Sequence, residues 1–156
     1  MEQLTEHQLN ILQLLKIHED AISQLYASYS NKYQEYGQFW STLSKEELTH
    51  ASWIEKLTKM VKDGKIYFDG GRFNLEAIKS SLAELKRALI ESKGELPLIK
   101  ALSTAYYFEI ALIERKFFEV FEEDSVELKH TLMNLSKETQ DHQKRIKEVF
   151  EKERVK

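Results

Sequence analysis

The sequence predicts an all-α domain: a four-helix bundle of two antiparallel hairpins, joined by a long crossover that contains an extra helix. Three observations predict it. Apolar residues recur at three- and four-residue intervals through four long segments. Only five glycines and one proline occur in 156 residues, too few breakers for a turn-rich sandwich or barrel. The connections expected within each hairpin are short and the one between hairpins is long, the pattern of a bundle with a single crossover.

The first helix is expected from about Glu6 to Tyr36. Thr5 stands at its start, with Gln8 three residues on in capping-box position. Leu12, Leu15, Ile22, Tyr26, Tyr29 and Tyr33 form its apolar stripe, on a helix roughly 45 Å long. Gly37 is the only breaker before the second helix, which carries Phe39, Trp40, Leu43, Ile54, Leu57 and Val61 on one face and stops at Asp63-Gly64. So short a connection makes these two helices antiparallel neighbours.

Residues 65–73 read as non-helical, either a small hairpin around Asp69-Gly70 or a plain loop. Asn74 then caps the crossover helix, Leu75 to about Lys93, with Leu75, Ile78, Leu82, Leu85 and Leu89 aligned and Gly94 after its end. The third long helix starts near Pro97 and runs to about Glu122, with Ser103, Tyr107, Ile110, Phe117 and Phe121 on one face. Asp124, with Glu127 three residues on, caps the fourth, whose stripe is Leu128, Leu132, Leu135, Ile146 and Val149. No linker or shift in composition divides the chain, so residues 1–156 are expected to form one domain.

Composition removes several function classes. The absence of cysteine excludes disulfides, thiolate zinc sites, iron–sulfur clusters and cysteine nucleophiles. A net charge of −3 with interspersed signs argues against nucleic acid as a partner. The apolar runs are too short for a membrane span or a secretory leader, so a cytoplasmic domain is expected.

The chain repeats itself. Leu43-Ser44-Lys45-Glu46 followed by His50 recurs as Leu135-Ser136-Lys137-Glu138 followed by His142, an offset of 135 − 43 = 92 residues. Each copy falls on the second helix of a hairpin. The first helices also correspond, with Glu19 seven residues before Tyr26 and Glu114 seven before Phe121.

Polar residues interrupt the stripes at related places. Glu19 lies between Leu15 and Ile22, Glu47 and His50 between Leu43 and Ile54, Glu114 between Ile110 and Phe117, and His142 with Thr139 between Leu135 and Ile146. An unpaired buried charge costs several kcal/mol. No Lys or Arg occupies the stripes beside these groups. A bound cation is therefore the economical counter-charge. Glu47 and His50, at i and i+3, can present a carboxylate and an imidazole to one ion.

Glu19, Glu47-x-x-His50, Glu114 and His142, in that order on four helices, resemble the ferritin-like superfamily, and more closely its rubrerythrin-like diiron-carboxylate branch. The resemblance covers nearly the whole chain. It implies two irons, or manganese in their place. Glu19 and Glu114 would be terminal ligands, Glu47 a bridging carboxylate, and His50 and His142 one imidazole for each metal. It implies an oxidoreductase acting on peroxide or dioxygen, with Tyr26 hydrogen-bonding a ligating carboxylate.

This chain departs from the pattern in three ways. The second Glu-x-x-His reads Thr139-x-x-His142, and Glu138 is the nearest carboxylate that could serve instead. The further glutamate that rubrerythrins carry one turn along the third helix is absent. So is the cysteine-based rubredoxin module, which leaves electrons to an external donor. Two readings compete with the enzyme: a metal-binding or structural ferritin-like protein without turnover, and a plain helical interaction module. Aromatic residues near 66–73 and the crossover helix offer surfaces through which a homodimer can form.

Overall fold

The computed structural model describes residues 2–65, 75–111 and 126–156, and within these the chain is helical with no strand. The helices are α1 (Glu2–Lys32), α2 (Gly37–Lys62), α3 (Leu75–Glu91), α4 (Leu98–Ala111) and α5 (Val126–Arg154), with a 3-10 turn, Gln34–Tyr36, between α1 and α2. The all-α expectation is met. No described helix is long and apolar enough to cross a membrane.

α1 begins upstream of Thr5, which lies inside the helix, and it ends four residues before the expected Tyr36. At Tyr33 the backbone leaves the helical region (φ −111°, ψ 86°). Ser30 Oγ then donates to the Gly37 carbonyl at 2.6 Å, which ties the turn to the start of α2. α2 runs back along α1: Lys16 pairs with Glu55, and Ser23 with Ser44, so rising numbers on one helix meet falling numbers on the other. Two buried hydroxyls fix that register, each donating to the other residue's carbonyl at 2.8 Å.

The end of α2 follows the sequence reading. Gly64 adopts φ +70°, and Lys65 N–H reaches back to the Met60 carbonyl, a left-handed cap that suits glycine. α3 packs on α1, where His18 Nε2 meets Ser81 Oγ at 2.8 Å. Burial pushes the His18 pKa down to about 4, so at neutral pH its ring is uncharged and structural. α4 packs on α5, and α5 meets α2.

The core bears out four of the expected stripes, that of α3 through buried Ile78, Leu82 and Leu85, and corrects one. Leu12, Leu15, Ile22, Tyr26 and Tyr29 on α1, Trp40, Leu43, Ile54, Leu57 and Val61 on α2, and Leu135 and Ile146 on α5 are buried. Each buried Leu or Ile contributes about 2 kcal/mol. On α4 the expected face is turned away: Tyr107 and Ile110 are 53% and 46% exposed, and Ser103 is exposed. The inward face is Ala101, Leu102, Ala105, Phe108 and Glu109. Residues 66–74 and 112–125 lie outside the described residues, and with them the possible hairpin at Asp69-Gly70, the Asn74 and Asp124 caps, and Glu114, Phe117 and Phe121.

Candidate metal centre

The helical spacing that builds the core also delivers polar groups into it. Glu19 comes from α1, Glu47 and His50 from α2, Glu109 from α4 and His142 from α5, and none is more than 2% exposed. Glu47 is the hub. Its Oε2 lies 3.2 Å from Nδ1 of His50, and its Oε1 lies 2.9 Å from Nδ1 of His142. Glu109 Oε1 lies 3.4 Å from the same nitrogen of His142. Glu19 Oε2 stands 3.8 Å from Nδ1 of His50 and has no hydrogen-bond partner among the described residues.

Burial and charge oppose each other here. Desolvation alone pushes the Glu47 carboxyl up, but the imidazoles of His50 and His142 outweigh it and hold the group well below the usual carboxylate range. Burial likewise disfavours the imidazolium forms. The neighbouring carboxylates reverse this and raise His50 to about 9 and His142 to about 10. Glu109 is pushed upward, first by burial and then by the Glu47 charge. With Glu47 holding its charge between two imidazoliums and Glu109 drawn toward its neutral form, the metal-free cluster is held together by protons. A divalent cation can replace those protons.

The donor set suits such a cation. One ligand atom each from Glu47, His50 and His142 falls within 4.8 Å of the others, and all three residues are buried. Carboxylate oxygen with imidazole nitrogen suits Fe(II), Mn(II) or Zn(II). The unpartnered Glu19 Oε2 is a further buried acceptor facing His50.

Tyr26 is fully buried, and its hydroxyl donates to Glu109 Oε1 at 2.7 Å. Thr139 is buried at the α5 position that corresponds to Glu47, and its Oγ1 donates to the Leu135 carbonyl at 2.9 Å. Glu138 sits at the outer side of His50: its Oε2 lies 3.1 Å from Nε2, with its side chain 35% exposed. Glu46, its counterpart in the repeat, lies 3.7 Å from Nε2 of His142. The two glutamates thus cross, each facing the other copy's imidazole. Trp53 stacks on the His50 ring at 5.5 Å.

Four of the expected ligands, Glu19, Glu47, His50 and His142, are brought together. Glu138 reaches the cluster from outside, and Glu114 lies outside the described residues. Glu109 was missed, because the α4 stripe was read on the wrong face. A signal for it exists: Leu12, Leu15 and Glu19 on α1 match Leu102, Ala105 and Glu109 on α4 at one offset, 109 − 19 = 90 residues. No protein-family model, curated protein or solved structure matches this chain.

Proposed function

We propose that the chain is a ferritin-like metal protein, a four-helix bundle of two hairpins linked by the α3 crossover, that holds two iron or manganese ions and acts on peroxide or dioxygen as an oxidoreductase. The observation that carries this reading is Glu47, buried with one oxygen toward each of two imidazoles on different helices. His50 and His142 would hold metal through Nδ1, Glu47 would be shared, and Glu19 and Glu109 would complete the set. Such ions supply electrons to an O–O bond and leave positions open for a small oxidant.

The chain's own residues support that chemistry in definite ways. Tyr26 orients Glu109 by donating to Oε1. Leu43, Ile54, Leu135 and Ile146 are buried core residues of the same two helices, α2 and α5, and keep bulk water from the carboxylates. Glu138, half-buried and bonded to Nε2 of His50, offers a proton a path between solvent and that ring. In this reading an external donor supplies the electrons, since the 156 residues carry no cysteine-based redox site. A cytoplasmic location and a homodimer belong to the same reading.

One observation favours a second reading, metal binding without turnover. Thr139 occupies the repeat position of Glu47, 139 − 47 = 92 residues on, and contributes no carboxylate. A single experiment separates the two. Protein loaded with Fe(II) under anaerobic conditions is mixed with stoichiometric peroxide, and iron oxidation and peroxide loss are followed together. Coupled consumption supports the oxidoreductase; bound iron that leaves peroxide intact supports the second reading.

A further inference from the structure

His50 and His142 are equivalent in the repeat but not in their surroundings. Nε2 of His50 lies 3.1 Å from Glu138. Nε2 of His142 is buried with no hydrogen-bond partner among the described residues, because Glu46, 3.7 Å away, is held elsewhere. Nη2 of Arg145 donates to both oxygens of Glu46 at 2.8 Å, and Nε of Arg145 lies 2.9 Å from Asp141 Oδ2. Asp141, four residues earlier on the same helix, steadies the guanidinium in that position.

A carboxylate on the outer nitrogen of an imidazole fixes its tautomer, orients the ring and makes the inner nitrogen a stronger donor. Such partners are worth roughly 10- to 100-fold in metal affinity. His50 has that partner and His142 does not. On the α2 side the ring is also accompanied by Glu47 from its own Glu-x-x-His, whereas the α5 side has Thr139. Resting on the reading of this cluster as a metal centre, we propose that Arg145 keeps Glu46 away from His142. The centre then takes up its two metal ions unequally, one firmly beside His50 and a second loosely beside His142. Arg145 and Glu46 are positioning residues, since neither reaches the inner nitrogens.

Calorimetric titration of the full chain with Mn(II) tests this. The wild type is expected to bind in two unequal steps. Arg145→Gln releases Glu46 toward Nε2 of His142 and is expected to tighten the second step by roughly 10- to 100-fold while leaving the first in place. Lys144→Gln removes the same charge from an exposed neighbouring position and is expected to change neither step. In the double variant Glu46→Gln/Arg145→Gln the gain disappears. In the metal-free protein, the 15N-resolved Nε2–H signal of His142 is expected to show a new hydrogen bond in Arg145→Gln only.

Equal steps in the wild type, or an Arg145→Gln second step that is unchanged or weaker, would overturn the proposal. So would a gain matched by Lys144→Gln, which would reduce the effect to net charge. A wild type that binds no Mn(II) or Fe(II) overturns it through its premise. That failure is recognisable because the His142 signal still reports whether Arg145 withholds Glu46.

Discussion

The imidazole rings of His50 and His142 stack 5.2 Å apart with 22° between their planes. Both rings are drawn toward their protonated forms, so the stack joins two like charges, and Glu47 bonded to both is what permits it. In the metal-free chain that triad is held by protons, and metal binding must displace them.

The first consequence is a pH dependence. His50 and His142 titrate at about 9 and about 10 in the folded chain against an ordinary 6.5. A raised pKa contributes stability that is fully present below the unfolded value and lost as pH rises through the folded one. Thermal melts of metal-free protein are therefore expected to show falling stability from near neutrality to above pH 10. Metal-loaded protein, whose imidazoles are already deprotonated, is expected to show a flatter profile there. Calorimetry near pH 7 in buffers of different ionisation enthalpy should show about two protons released as the site fills.

Glu47→Gln removes the anion between two imidazoliums. The cost expected for breaking a buried charged network is about 3–5 kcal/mol, read from urea unfolding of the metal-free protein. Metal binding is expected to be lost in the same variant. A loss of binding with unaltered stability would mean that the imidazoles do not depend on Glu47.

Thr139→Glu restores a carboxylate at the position that matches Glu47 in the repeat. Because Thr139 is 2% exposed, the new charge is expected to destabilise the metal-free chain. Mn(II) or Fe(II) is expected to reverse that loss and to raise the metal content per chain. Stability that does not respond to metal would place position 139 away from the site.

Tyr26→Phe deletes one hydroxyl and leaves Glu109 Oε1 without that donor. A cost of about 1–3 kcal/mol is expected in chemical denaturation, larger in metal-free than in metal-loaded protein. Equal costs in both forms would argue that Glu109 takes no part in binding.

Much of this arrangement was legible in the sequence because α1, α2 and α5 alternate apolar and polar faces. On such helices Glu19, Glu47, His50 and His142 stand out as polar residues in apolar stripes, and all four are buried. α4 offers no such contrast. Leu98, Ile99, Ala101, Leu102, Ala105, Tyr106, Tyr107, Phe108, Ile110 and Ala111 leave almost no polar face to set its phase. The packing decided it, and small Ala101 and Ala105 turned inward while Tyr107 and Ile110 turned out. Glu109 followed from that rotation. The crossing of Glu46 and Glu138 was likewise out of reach, since a repeat shows which residues correspond and not which of them meet.

Elemental analysis of the full chain, grown with iron and manganese and purified without chelator, reads directly whether the buried cluster holds metal. Bound iron or manganese is expected in the wild type and none in Glu47→Gln. Wild-type protein that purifies without metal, and on incubation with Fe(II) or Mn(II) neither binds it nor gains thermal stability, would contradict that expectation.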